Sequence, residues 1–255
     1  MAPKEGSIDR LVWLNLAAFA ATIVTNSLAG STTLIGGRNT AQVSNLYPSL
    51  ITPPGYVFAI WGVIYLLLAL FVGFQLLPAQ RKAAFPREIG YLFVLSCALN
   101  VSWLFLWQND LIPWSLALIV LLLISLAIIY ARLNTVRREK SLRERIFVNL
   151  GFSVYLAWVG IATIANAAAL LVFLGFAGSG SAAIVLTVLA ALVVLGVTLF
   201  VVVRERDVGF ALVAIWAISG VASKGGQDAV VTVAGVLVCL VIVAALSARF
   251  LRTSS

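Results

Sequence analysis

Aromatic and amide side chains recur at helical spacing in three hydrophobic stretches of the chain. Residues that follow one another at three- or four-residue steps share one face of a helix, so each set forms a stripe. The stripes contain Phe58, Trp61 and Tyr65 in one stretch, Asn100, Trp103 and Trp107 in the next, and Tyr155, Trp158, Ala162 and Asn166 in the third. Aromatic rings stack on flat apolar molecules and amides orient them, so the stripes predict a site for a planar hydrophobic ligand.

The residue inventory excludes most catalytic chemistry. The chain has no histidine, which excludes Ser-His-Asp and Cys-His catalysis and sites in which histidine binds zinc or haem. Cys97 and Cys239 lie in separate hydrophobic stretches without a partner at metal-ligand spacing. The hydrophobic stretches contain no charged residue, which disfavours a proton pump. We therefore predict no catalytic residue, no metal site and no enzymatic activity.

The composition of the chain is that of a protein embedded in a lipid bilayer. Of its 255 residues, 62% are hydrophobic and 10% are charged, against about 45–50% and about 25% in soluble domains. Backbone groups in lipid must be satisfied within their own segment, and alternating polarity is absent, so the stretches are predicted to be helices. The eight charge-free stretches are 11–30, 54–77, 89–108, 111–131, 146–174, 182–203, 208–223 and 229–248. The predicted fold is an all-α polytopic membrane bundle of about eight transmembrane helices.

The distribution of basic residues predicts the orientation of these helices. With eight helices and a cytoplasmic N-terminus, fifteen of the 17 basic residues fall inside, and only Arg38 and Lys224 fall outside. Both termini are therefore predicted to be cytoplasmic. The net charge of +8 reflects this topology and not a nucleic-acid partner. Two alternatives remain open: stretch 208–223 as a re-entrant hairpin, and the first stretch as a signal peptide.

The stripes also have a structural interpretation. Tryptophan near a helix end commonly anchors the helix at the membrane interface, which is the preferred interpretation of Trp107. Buried amides such as Asn100 and Asn166 can hold helices together. The recurrence of similar faces on three helices is what favours a binding site.

The same three stretches resemble the TspO/MBR family, the tryptophan-rich sensory proteins related to the translocator protein. The matching residues are Pro53, Pro54, Trp61 and Tyr65, then Asn100 and Trp103, then Tyr155, Leu156, Ala157, Trp158, Ala162, Thr163 and Asn166. Tyr47 takes the place of a family tryptophan before the proline pair. The resemblance covers about residues 8–174. It implies a TspO-like five-helix bundle over residues 1–178 and an additional three-helix membrane region over 179–255.

The resemblance implies binding of porphyrins, with sterols as a second ligand class, in a pocket under the 31–52 loop. The expected function is that of a sensor, regulator or carrier. No cofactor is required, although a porphyrin can be bound. Arg38 is a candidate partner for a porphyrin propionate. The predicted ligand-binding residues are Arg38, Tyr47, Pro53, Pro54, Phe58, Trp61, Tyr65, Asn100, Trp103, Tyr155, Trp158, Thr163 and Asn166.

Two alternative functions stay open at this stage. One is a transporter or exporter of small hydrophobic molecules, in which the last three helices build a transport path or the face of a homodimer. The other is light-dependent porphyrin degradation, as suggested for relatives.

Overall fold

A computed structural model describes residues 5–80, 82–135 and 140–253. Within these ranges the regular structure is helical and contains no strand. The α-helices are α1 Glu5–Ser31, α2 Thr40–Leu46, α3 Ile60–Leu76, α4 Phe85–Ile89, α5 Leu92–Gln108, α6 Ile112–Thr135, α7 Leu142–Glu144, α8 Leu150–Phe173, α9 Ser181–Glu205, α10 Val208–Ala222 and α11 Ala229–Thr253. Short 3-10 turns cover Gly55–Ala59 and Pro78–Gln80, and a π-helical turn covers Arg145–Asn149.

The described residues contain six helical segments that are long and apolar enough to cross a membrane, and two shorter apolar helices, α5 and α10. The all-α polytopic membrane fold is thereby confirmed. The exact number of eight crossings and the side on which the termini lie stay predictions. The topology also relied on Lys4, Arg81, Arg137 and Arg138, which lie outside the described residues.

The boundaries of several helices follow from local chemistry. Pro53 and Pro54 precede the second hydrophobic stretch, which opens with the 3-10 turn before continuing as α3. The helical segment of the fifth hydrophobic stretch begins at Leu142, four residues before the predicted start. Its first turn is stabilised because the Ser141 hydroxyl accepts a hydrogen bond from the Glu144 amide. The short stretch 208–223 forms one continuous helix, α10, whose first turn is capped by Asp207. It is therefore not a re-entrant hairpin.

The chain divides into two compact units. Unit 1 comprises Met1–Thr40 and Trp61–Leu156, and unit 2 comprises Ala41–Ile60 and Ala157–Ser255. The predicted division of the chain after residue 178 is based on the resemblance and stays a prediction.

Unit 1 is held together by α5, which packs against α1 and α6, and by a cluster of phenylalanines. The Phe71 ring lies 5.1 Å from the Phe93 ring and 5.0 Å from the Phe152 ring, both edge to face. Phe85 completes this contact set, and all four side chains are fully buried. The geometry is the favourable one for aromatic pairs, and no polar group takes part. We therefore assign these rings a structural role.

Unit 2 is built around α9, α10 and α11, which pack on one another. Their shared core contains Val202, Ala211, Ala214, Val238 and Ile242. Many of the contact residues are small, as is typical of helices that pack closely in lipid.

Thr198 of α9 offers a test of the packing in unit 2. Its side chain is fully buried, and its hydroxyl has no hydrogen-bond partner among the described residues. We expect Thr198→Val to stabilise the protein by about 1 kcal/mol, because valine has the same shape and buries no unsatisfied hydroxyl. Thermal unfolding of the purified protein in detergent measures this.

Thr187→Val is the matched control. The Thr187 hydroxyl donates to the carbonyl of Ala183 on the same helix, so its removal gains nothing. A loss of stability in Thr198→Val, or an equal gain in both variants, would contradict this account of the Thr198 hydroxyl.

Candidate ligand-binding site

Unit 1 brings together aromatic residues from α3, α5 and α8. Trp61 is the centre of this group: its ring stacks on Tyr65 at 5.6 Å, lies 6.1 Å from Trp103 and meets Tyr155 edge to face at 6.0 Å. Trp103 stacks in turn on Trp107 at 6.2 Å. We call these five residues the tryptophan–tyrosine cluster. The structure thus brings together four of the predicted site residues, Trp61, Tyr65, Trp103 and Tyr155.

The cluster and Asn100, which lies one turn before Trp103 in α5, contain hydrogen-bond donors without partners. The Tyr65 hydroxyl, the Asn100 amide nitrogen and the Trp103 indole nitrogen are all buried, and none has a partner among the described residues. A buried donor that is left unsatisfied costs about 1–3 kcal/mol. Three such groups near a set of stacked aromatic rings therefore form a place that can bind the acceptor atoms of another molecule.

Asn100 is held in place by a second asparagine. Its carbonyl oxygen accepts a hydrogen bond of 2.7 Å from the Asn26 amide of α1. Asn26 also donates to the backbone carbonyl of Thr22, one turn earlier. These bonds fix the Asn100 side chain and leave its own amide nitrogen available.

The segment after α1 is fastened to the end of α5, close to the cluster. The Gln108 amide donates to the carbonyl of Ala29 at 2.7 Å, and the Trp107 indole donates to the carbonyl of Thr40 at 3.3 Å. Gly36 lies against the Gln108 backbone in a left-handed conformation, with φ +66°. The start of the 31–52 segment is therefore an ordered part of unit 1.

Arg38, the predicted partner of a propionate, forms an ion pair in this segment. Its guanidinium lies 2.7 Å from the Asp110 carboxylate, and both side chains are about two-fifths exposed. Asp110 thus already balances the charge of Arg38. The assignment of Arg38 to a ligand carboxylate stays a prediction.

The other predicted site residues belong to unit 2. Tyr47 meets Phe173 edge to face at 6.1 Å, and Phe58 meets Trp158 edge to face at 6.2 Å. The Thr163 hydroxyl donates to the carbonyl of Val159 on its own helix. Pro53 and Pro54 lie before the Gly55–Ala59 turn, and Asn166 is buried in α8. Their part in ligand binding stays a prediction.

Within unit 2, hydrogen bonds hold the segment on both sides of the proline pair. The Trp216 indole of α10 donates to the carbonyl of Val57 at 3.1 Å, and Gly220 leaves room for the Val57 side chain. After α10, Lys224 donates to the carbonyl of Thr52, and Gln227 donates to the carbonyl of Leu50. The C-terminal helices therefore position this segment.

Sequence reasoning missed Asn26 and Gln108. Both are amides within or at the end of hydrophobic helices, where an unpaired polar side chain is costly. Asn100 was singled out by its place on an aromatic stripe, and neither Asn26 nor Gln108 lies on one.

Comparison with known proteins places the whole chain in one family. A family model described as TSPO-like protein matches residues 12–247, which include α9, α10 and most of α11. No curated protein and no solved structure matches the sequence. The chain therefore belongs to the TspO/MBR family of TSPO-like proteins and is a multi-pass integral membrane protein.

Proposed function

We propose that the tryptophan–tyrosine cluster of unit 1 binds a planar hydrophobic ligand of the porphyrin class, and that the protein acts as a sensor, regulator or carrier of this ligand and not as an enzyme. The observation that carries the proposal is the set of three buried donors without partners on Tyr65, Asn100 and Trp103. A porphyrin offers a flat apolar face for the rings and carboxylate oxygens for the donors.

Aromatic contacts and hydrogen bonds both contribute favourably to the free energy of ligand binding. Aromatic contacts contribute about 0.5–1.5 kcal/mol each beyond the burial of their area. A hydrogen bond contributes about 0.5–1.5 kcal/mol when both groups are neutral and about 1.5–3 kcal/mol when one is charged. Tyr65 and Trp103 also have no side-chain hydrogen bond to give up when a ligand binds.

The nature of the polar groups favours a porphyrin over a sterol. All three unpartnered groups can donate a hydrogen bond. A sterol of the cholesterol type has a single hydroxyl and satisfies at most one or two of them. A ligand with several acceptor oxygens satisfies the set.

A binding assay with protoporphyrin IX tests the proposal. The purified protein in detergent is titrated, and the absorbance of the porphyrin reports its binding. We expect the double variant Trp61→Leu, Trp103→Leu to bind at least tenfold more weakly, because two aromatic contacts and one donor are lost.

Trp114→Leu is the control, because Trp114 is 67% exposed and is not one of the five cluster residues. Cholesterol serves as the competing ligand. Equal protoporphyrin affinity in the double variant and in Trp114→Leu would overturn the proposal. Displacement of protoporphyrin by an equal concentration of cholesterol would also contradict the preference for a porphyrin.

A further inference from the structure

Unit 2 contains a groove whose lining differs chemically from the tryptophan–tyrosine cluster of unit 1. Residues of α9, α10 and α11 form its walls, and Ile51, Ile161 and Ile164 complete it. It holds about 560 Å³ of space not filled by protein atoms, including the space at its open side. The groove is therefore partly enclosed and partly accessible from outside unit 2.

Small side chains keep the groove open. Ala190 and Ala191 of α9, Ala217 of α10, and Ala234 and Gly235 of α11 all line it. These residues leave space between helix backbones that larger side chains would fill. Since protein interiors are close-packed, a gap between apolar helices that opens to one side is space that an apolar molecule can enter.

The chemistry of the lining indicates a hydrocarbon. Thr187 is the polar residue of the lining, and its hydroxyl is engaged by the Ala183 carbonyl. The side chains of the walls thus offer no free hydrogen-bond donor, in contrast to the cluster of unit 1. A saturated or unsaturated alkyl chain matches such walls, whereas a ligand with polar groups along its length would leave them unsatisfied.

A positive charge lies at one end of the groove. Val221 and Ala222 line the groove, and Lys224 lies two residues after Ala222. The Lys224 ammonium donates to the carbonyl of Thr52, the residue after Ile51 of the lining, at 3.3 Å. This bond uses one of three ammonium hydrogens and holds the charge beside the groove.

The neighbouring polar groups leave that charge available. The Gln227 amide nitrogen donates to two backbone carbonyls, those of Leu50 and Val221. The Asp228 carboxylate accepts from the Val230 amide at the start of α11. Lys224 forms no ion pair with a residue that the structure describes. An anionic head group is the complement of this end.

We propose that the groove binds a long-chain fatty acid, with its single alkyl chain between α9, α10 and α11 and its carboxylate at Lys224. A single chain matches the single groove, and a carboxylate matches the ammonium beside it. The site is independent of the porphyrin site proposed for unit 1, and it gives the three C-terminal helices a binding function of their own.

Palmitate binding to the full-length protein in detergent tests the proposal, with methyl palmitate as the uncharged probe. We expect Lys224→Gln to weaken palmitate binding about tenfold and to leave methyl palmitate binding unchanged, because only the charged hydrogen bond is lost. Lys224→Arg should retain palmitate binding.

A second variant tests the groove itself. Ala234→Phe fills the groove and should weaken palmitate and methyl palmitate alike, by tenfold or more. Ala244→Phe is its control, because Ala244 lies exposed on the same helix and does not line the groove. Thermal unfolding establishes that each variant is folded.

Three results would overturn the proposal. One is unchanged palmitate binding in a folded Ala234→Phe variant. Another is equal palmitate affinity in Lys224→Gln and the wild type. The third is displacement of palmitate by an equal or lower concentration of phosphatidylglycerol, which would assign the groove to a membrane phospholipid.

Discussion

Replacement of Tyr65 by phenylalanine is expected to weaken protoporphyrin binding about tenfold and, in the same protein, to raise the stability of the ligand-free state by about 1 kcal/mol. Both effects come from one hydroxyl. It is buried without a partner, so its removal relieves a cost in the free protein. The same removal deprives the ligand of a donor.

A loss of binding affinity together with a gain in stability distinguishes a binding role of the hydroxyl from a structural role. A hydroxyl that stabilised the fold would lower the unfolding temperature when removed, whatever it did to binding. Tyr56→Phe is the matched control, because Tyr56 is 55% exposed and its hydroxyl lies 3.0 Å from that of Ser223. That variant should leave protoporphyrin affinity unchanged. A Tyr65→Phe variant that is less stable and binds with full affinity would contradict our assignment.

Gly36→Ala is expected to lower the free energy of unfolding by about 3 kcal/mol or more. The left-handed backbone of Gly36 costs about 1–2 kcal/mol for any residue with a Cβ. A Cβ at this position would also collide with the backbone carbonyl of Gln108, which cannot move without disturbing the end of α5. The hydrogen bond from Gln108 to Ala29 depends on the same local packing.

Gly37→Ala provides a matched control one residue later. Gly37 also has a positive φ, +75°, but no atom lies within 4 Å of the position of its Cβ. It should therefore lose only the conformational part, about 1–2 kcal/mol. Thermal unfolding of both variants under identical conditions gives the difference. Equal losses of stability in the two variants would show that the close contact between Gly36 and Gln108 does not contribute to the effect of Gly36→Ala.

The sequence was sufficient to predict the long apolar helices, because the central part of each one is a charge-free stretch and lipid leaves the backbone no alternative. It was also sufficient to predict that Trp61, Trp103 and Tyr155 lie together, since each lies on an aromatic stripe. The same stripes did not identify how Phe58 packs. Phe58 lies in a 3-10 turn ahead of α3 and contacts Trp158, because the proline pair changes the helical geometry at that point.

Contacts between distant residues could not be derived from periodicity. The bond from Asn26 to Asn100 and the ion pair of Arg38 with Asp110 each join residues more than 70 positions apart. Helix α2 was missed as well, because its seven residues lie in a polar segment that was treated as a loop. The groove of unit 2 escaped notice because alanine and glycine in a hydrophobic helix are unremarkable until neighbouring helices are in place.

We propose that the unpartnered donors of unit 1 bind the acceptor atoms of a ligand. The most direct test compares the dissociation constants of protoporphyrin IX and etioporphyrin, which has a similar macrocycle but only alkyl substituents, for the wild type and Tyr65→Phe. We predict that the wild type binds protoporphyrin at least tenfold more tightly than etioporphyrin, and that Tyr65→Phe narrows this preference. Equal affinities of the wild type for both porphyrins, or a preference that Tyr65→Phe leaves unchanged, would contradict the claim.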